Sequence, residues 1–268
     1  MIASDQAGYD RIRDWLSTRC GIVYADGKSE LLRQRLSRVL RCFNCGDLDQ
    51  LAAGLLNDDN EAIQLAVMHA ASTNHTFFFR EAEVLDKVAE HILPRLADRS
   101  QVRIWSAAAS TGDEAYSVAM IAAEKLGPSF LDKLLILGTD ISAPVVERAE
   151  LGVYAKRQLA HTPPAMLRKY FTPTGIEQFR VTEQIRNVCT FRRMNLKARP
   201  YPFSRAFQVV FCRNILYYFD KSDQINTLNA IHAVTEPGGW LVTSVTEPIR
   251  DLGTPWINVS TGIYRRAE

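Results

Sequence analysis

Hydrophobic and polar positions divide the chain into two differently patterned parts. Up to about residue 72 the apolar side chains recur at helical spacing. Tyr9, Ile12, Trp15 and Leu16 share one face. Leu32, Leu36, Val39, Leu40 and Phe43 form a stripe at i, i+4, i+7, i+8 and i+11. Asp47 is placed to cap a helix carrying Leu48, Leu51 and Leu55, and a further helix is expected over about 60–70. The one strand-like stretch here is 21–24. Residues 1–72 therefore read as a small helical bundle. A helix is expected over 82–98, with Val84, Val88, Ile92 and Leu96 buried and Pro94 disturbing it.

Beyond residue 100 the period alternates between that of strands and that of helices. Strands are predicted at 102–108, 134–139, 189–194, 207–212 and 240–245, with a last one within 257–265. Helices are predicted over 114–126, 142–151 and 221–235, and the Glu-Pro-Gly-Gly turn at 236–239 precedes the fifth strand. This order predicts an α/β fold, a mainly parallel Rossmann-like sheet covered on both faces. The stretch 154–190 breaks the alternation. Its Thr-Pro-Pro at 162–164, Thr-Pro-Thr-Gly at 172–175 and alternating Phe179, Val181 and Ile185 predict a short helix and a small antiparallel excursion.

Composition narrows the class. The 268 residues, 47% of them hydrophobic, support one large domain or two smaller ones. A formal net charge of +2 does not suggest a nucleic-acid binder. The five cysteines are irregularly spaced, as in a reducing cytosol. No apolar run approaches the roughly 18 residues of a membrane helix, and the first residues lack the regions of a signal peptide. A cytoplasmic protein without membrane insertion is expected, and a monomer. Cys42 and Cys45 form a lone CxxC pair, so no metal site is expected. His69, His91, His161 and His232 read as surface or structural residues.

Three constellations carry chemistry. In the first, strand residues Val102, Ile104 and Trp105 run through five small residues, 106–110, and Gly112 into a helix. A strand feeding a helix through such a turn forms the nucleotide pocket of doubly wound folds. Only one glycine is present where pyrophosphate cradles usually have three, so S-adenosylmethionine fits better than NAD. Asp140 closes the next strand, where an acid can bond ribose hydroxyls, and is read as a ligand residue; the alternative is a cap for the helix after Ser142. In the second, Ser72–Glu81, three successive phenylalanines precede Arg80; the segment is either an interdomain plug or part of a site. In the third, Phe211–Phe219, Arg213 and Asn214 follow a strand at the sheet edge where ligands bind. Tyr217 and Tyr218 there are either wall or core.

Together these blocks resemble the chemotaxis receptor methyltransferases, the CheR family. That family shows Thr-Asn-x-Thr-x-Phe-Phe-Arg, Trp-Ser-x-x-x-Ser-Thr-Gly-Glu-Glu-Pro-Tyr-Ser, Asp-Ile and Cys-Arg-Asn-x-x-x-Tyr-Phe blocks, which stand here at 73–80, 105–117, 140–141 and 212–219. Its Asn-Leu pair is matched by Asn195 and Leu196. Asp113 and Ala115 depart from the family's Glu and Pro, and Ser-Val-Thr-Glu at 244–247 replaces Gly-His-Ser-Glu, which weakens any role for that loop.

The resemblance implies a methyltransferase domain over 94–268 with a β-subdomain at about 154–190, a linker over 73–93 that contributes to the active site, and a receptor-docking helical domain over 1–72. It implies that Asn74, Thr76, Arg80, Gly112, Glu114, Asp140, Asn195, Leu196, Arg213 and Asn214 line the S-adenosylmethionine site, with Gly112 admitting the ligand. Arg80 and Tyr218 would act nearest the transferred methyl. The expected reaction is methylation of receptor glutamates to methyl esters for sensory adaptation. Other proteins or small molecules as methyl acceptors, and a non-catalytic cofactor-binding signalling module, remain open alternatives. Arg35, Arg38 and Arg41 lie opposite the apolar stripe of their helix and are expected to dock acidic receptor helices, the alternative being an ordinary solvated face. In some family members the β-subdomain grips a pentapeptide at the receptor C-terminus. This chain is about three residues shorter between Tyr170 and Asn195, which predicts independence from that peptide.

Overall fold

The computed structural model describes residues 3–24, 26–72 and 75–268. Four helices open the chain: α1 (Ala3–Cys20), α2 (Ser29–Cys42), α3 (Leu48–Leu55) and α4 (Glu61–Ala71). Asp47 and Asn60 cap α3 and α4 by accepting the N–H groups of Gln50 and Ile63. The apolar stripes converge on one core holding Ile12, Leu16, Leu32, Leu36, Leu51 and Val67. Residues 21–24 form no strand. They cross as an extended segment to the second part of the molecule, where the Val23 N–H donates to the Tyr218 carbonyl over 2.9 Å.

The helix expected over 82–98 is broken into α5 (Ala82–Lys87), a π-helical turn (Val88–Ile92) and a 3-10 turn (Leu93–Leu96). Pro94 lacks the N–H that would continue an α-helix. The α/β part then follows in order: β1 (Val102–Ser106), α6 (Asp113–Leu126), β2 (Leu134–Asp140), α7 (Ala143–Leu151), β3 (Val153–Ala155), α8 (Pro164–Tyr170), β4 (Phe171–Gly175), β5 (Gln178–Val181), α9 (Glu183–Arg186), β6 (Cys189–Arg193), β7 (Phe207–Phe211), α10 (Lys221–Ala233), β8 (Thr235–Val242), β9 (Ile257–Ser260) and β10 (Ile263–Arg265).

The main sheet runs β6-β2-β1-β7-β8-β10-β9. The pairs from β6 to β8 are parallel, and β10 joins β8 and β9 antiparallel. Alternate residues face two cores. Val102, Ile104, Val209 and Phe211 pack with α6 and the β-subdomain, while Trp105, Val210 and Leu241 pack with α10. β3, β4 and β5 form a separate antiparallel sheet in the order β3-β5-β4. The architecture is a Rossmann-like α/β sheet preceded by a helical bundle and interrupted by a small antiparallel β-subdomain.

Two boundaries differ from the sequence reading. β8 begins at Thr235 rather than after the Glu-Pro-Gly-Gly turn: Thr235 pairs with Phe207 and Trp240 with Val209, so the turn bulges out of a continuous ladder. The single last strand is a hairpin, because Gly262 turns at φ +75° and a Cβ there would meet the Thr243 carbonyl at 2.9 Å.

Candidate active site

Strand order reverses about β1, whose neighbours are β2 and β7. In open α/β sheets the crevice beyond the carboxyl ends of strands at such a point receives ligands. A cavity enclosing ≈ 980 Å³ of empty space, part of it open to solvent, lies there. The loops after β1, β2, β6 and β7 supply Ser110, Asp140, Asn195, Leu196, Arg213 and Asn214, α6 supplies Glu114, and the linker supplies Thr76 and Arg80. Tyr218 lines it from a 3-10 turn, and Cys20 and Ile22 close it from the helical part.

The polar groups are tightly arranged. Asp140 is buried, and its carboxylate accepts the N–H groups of Ser110 and Ser142, each at 3.0 Å. Burial raises its pKa, and the backbone donors Ser142, Ser110 and Ile141 oppose that shift. Glu114 accepts from the Ser106 hydroxyl at 2.7 Å and from Arg213 at 2.9 Å. Arg213 is buried between Glu114 and Glu81, 3.4 Å away, and donates to the Arg80 carbonyl at 2.6 Å. The Arg80 guanidinium donates to the His75 carbonyl at 2.9 Å and lies over the Phe77 ring.

Of the sequence-derived residues, Thr76, Arg80, Glu114, Asp140, Asn195, Leu196, Arg213, Asn214 and Tyr218 meet in this cavity. Asn74 lies outside the described residues. Gly112 stands between the lining residues Ser110 and Glu114 without itself lining the cavity. Its φ is +90°, and a Cβ would meet Ala149 at 3.0 Å and Phe191 and Tyr116 at 3.1 Å, so close packing requires glycine there. Asn195 also ties the two parts together, donating to the Arg19 carbonyl at 2.7 Å. Phe78 is fully buried edge-on against Tyr154 and Phe171, which anchors the linker in the β-subdomain.

Arg35 is part-buried and donates to the Tyr24 hydroxyl at 3.0 Å and the Ala71 carbonyl at 3.2 Å, so it braces the helical part, and with Arg38 it lines a surface groove between α2, α4 and α7. Arg38 and Arg41 are exposed. The loop 244–247 has the role that its departure from the family pattern argued against. Glu247 accepts the N–H groups of Asn214 at 2.5 Å and Tyr217 at 3.3 Å, and Ser244 donates to Glu81 at 2.8 Å. Sequence reasoning missed Glu81 and Glu247; the available signals were the adjacency of Glu81 to Arg80 and the final Glu that Ser-Val-Thr-Glu at 244–247 shares with the family block.

The residues fit S-adenosylmethionine. Ser110 Oγ and Arg213 Nε are buried without a hydrogen-bond partner among the described residues, and both residues line the cavity. Carboxylates at Asp140 and Glu114 and the guanidinium of Arg213 offer the mixed acceptors and donors that a nucleoside and an amino-acid zwitterion require.

This sheet order, the cavity at its switch point and the family matches that follow place the chain among S-adenosylmethionine-binding methyltransferases. The chain belongs to the CheR methyltransferase family. Residues 74–263 match the family model described as "CheR methyltransferase, SAM binding domain", and residues 7–66 match "CheR methyltransferase, all-alpha domain". Chemotaxis protein methyltransferase 1 of Vibrio cholerae is 32% identical over 253 residues, covering 93% of this chain and 91% of that protein. The chemotaxis protein methyltransferase of Escherichia coli is 33% identical, covering 92% and 86%. Chemotaxis protein methyltransferase 2 of Pseudomonas aeruginosa is 34% identical, covering 86% and 82%. Among the described residues no helix is long and apolar enough to cross a membrane.

Proposed function

We propose that this protein methylates glutamate side chains of chemotaxis receptors, forming methyl esters for sensory adaptation, in the cytoplasm and without a metal. The observation that carries the reading is the placement of Arg80 and Tyr218 on the wall of one cavity that also holds Asp140, Glu114 and Arg213. S-adenosylmethionine, when bound, supplies a sulfonium methyl that a carboxylate oxygen can accept without any proton transfer. A solvated glutamate, with a pKa of about 4.3, is ionised at neutral pH, so no general base is needed. His75 is the only imidazole among the described lining residues.

Each residue then has a defined task. Asp140 and Glu114, with Arg213, hold the cofactor's hydroxyl and zwitterionic groups. Arg80 orients the incoming carboxylate through paired hydrogen bonds, and Tyr218 adds a donor. Excess attraction in the ground state would slow transfer, so the guanidinium must orient without over-stabilising. The helical domain, 1–72, docks the receptor, with exposed Arg38 and Arg41 of α2 facing acidic receptor helices. The β-subdomain joins β4 to β5 through a short turn, and we read it as not requiring a C-terminal receptor peptide.

The test is transfer of labelled methyl from S-adenosylmethionine to receptor-bearing membranes. Label released as methanol in mild base supports glutamate esters, whereas base-stable label rejects them. Receptors truncated at the C-terminus should be labelled as fast as intact ones.

A further inference from the structure

Phe79, Glu81 and Asn214 lie around the cavity in left-handed backbone conformations, at φ 59°, 53° and 59°. None is glycine, so surrounding contacts must hold each of them against steric strain. The first two flank Arg80. The Phe79 N–H is fixed by the Ser117 hydroxyl at 3.0 Å, and the Arg80 carbonyl by Arg213 at 2.6 Å. The Glu81 carboxylate completes the turn. Oε1 accepts from Asn214 Nδ2 at 3.0 Å and Ser244 Oγ at 2.8 Å, while Oε2 accepts from the Val245 N–H at 3.1 Å and faces Arg213 at 3.4 Å. Asn214 therefore bridges two carboxylates: its side chain bonds Glu81, and its backbone N–H bonds Glu247 at 2.5 Å. Glu247 also takes the Tyr217 N–H, one residue before Tyr218. Neither Glu81 nor Glu247 lines the cavity.

We propose that Glu81 and Glu247 are positioning residues that register the Arg80 turn against the Tyr218 turn through Asn214. Among the described residues the Arg80 side chain makes one hydrogen bond, to the His75 carbonyl, and lies over the Phe77 ring, so the backbone turn that carries it has a large part in setting its place. The two groups nearest the chemistry come from segments more than a hundred residues apart; Arg213 ties the Arg80 carbonyl to the 213–218 segment, and the Glu81–Asn214–Glu247 relay adds a second polar link that reaches the Tyr217 N–H. The inference rests on the roles given to Arg80 and Tyr218 above.

The test uses the full chain carrying Glu81→Gln, or Ser244→Ala as a milder change that removes one donor to Glu81. Hydrogen exchange of the amides in 77–83 and 213–218, with no ligand present, reads the registration without reference to any reaction. Both variants are expected to speed exchange in both segments together, while amides of α2 and α10 stay protected. Unchanged exchange, or loosening of one segment alone, overturns the proposal. Turnover is expected to fall about 10- to 100-fold in Glu81→Gln, the scale set by small misplacement of a reacting group. In an Arg80→Lys background the same change should have at most about a twofold effect, because Glu81 acts through Arg80. An equal loss in both backgrounds overturns it. Coupled exchange changes in a protein that methylates no receptor would reject the receptor reading while leaving the registration standing.

Discussion

The backbone N–H of Val23 donates to the carbonyl of Tyr218 across 2.9 Å, so a segment of the helical part is bonded to the turn that presents a proposed catalytic side chain. Cys20 and Ile22 line the same cavity, and Lys197 reinforces the junction by bonding the Ser17 carbonyl at 2.8 Å and Asp223 at 2.5 Å. The helical part is thus a wall of the active site and not a tethered appendage. Burial raises the pKa of the Cys20 thiol at this wall to about 12, which keeps it neutral beside the cofactor cavity.

Gly21 permits this crossing. Its φ is +73°, and a Cβ would meet the Phe219 ring at 2.6 Å. Gly21→Ala is expected to cost about 1–3 kcal/mol of stability, the range for backbone forced into a sparsely populated region. Urea unfolding measures the loss, and calorimetry with S-adenosylhomocysteine should show weaker binding as the wall shifts. Wild-type stability and affinity in the variant would show that the crossing tolerates a side chain.

Arg80→Ala tests the chemistry. The guanidinium orients the acceptor carboxylate, so turnover should fall by about 100-fold or more. The side chain supplies only part of the cofactor wall, so affinity for S-adenosylhomocysteine should stay within about tenfold. Undiminished turnover would remove Arg80 from the reaction.

The strand-end residues were legible because their chemistry is local: a polar side chain just beyond an apolar strand, as at Asp140 and Arg213, belongs to the sheet edge where ligands bind. Other features depend on contacts that sequence proximity does not encode. Glu81 and its partner Asn214 are 133 positions apart, and on its own Glu81 resembles any acid at a helix start. At Gly112 the close packing was not legible, because a glycine needed for packing and one needed for ligand access look alike in a sequence. Arg35 sits correctly on the polar face of α2, yet Tyr24 and the carbonyls at 71–72 fold over that face and capture it. The hairpin at 257–265 was not legible because apolar residues recur on both sides of its turn; Thr261-Gly262 was the turn signal.

Asp113, buried at the start of α6, should make stability depend on pH. Burial lifts its pKa from 3.8 to about 6, opposed by the Thr111 hydroxyl and Arg148. Between those values the folded chain binds more protons than the unfolded chain. Stability therefore falls as pH rises through that window, and the penalty stands in full above it. Asp113→Asn retains an acceptor for Thr111 without the charge. It should be more stable than the parent near pH 8, by about 2–3 kcal/mol for a shift of this size, and should lose that advantage below about pH 4. Urea unfolding at the two pH values decides; a variant less stable at both would show that the ionised carboxylate is favourable in place.

Charge reversal on α2 separates docking from folding. Arg38 and Arg41 are exposed, and no salt bridge holds either among the described residues, so Glu at both positions should leave the melting temperature within about 2 °C. The pair should raise KM for receptor membranes several-fold with little change in kcat, and the effect should shrink at high salt as charges are screened within about 10 Å or less. Arg35→Glu should behave differently. It places a carboxylate against the Ala71 and Ser72 carbonyls, where the guanidinium now donates, and leaves those acceptors facing negative charge. A loss of about 1–3 kcal/mol is expected there, the range for polar groups left without their hydrogen-bond partner. Unfolding curves and receptor-methylation kinetics on the two variants test both halves. An unchanged KM for the Arg38/Arg41 pair would make that face an ordinary solvated one.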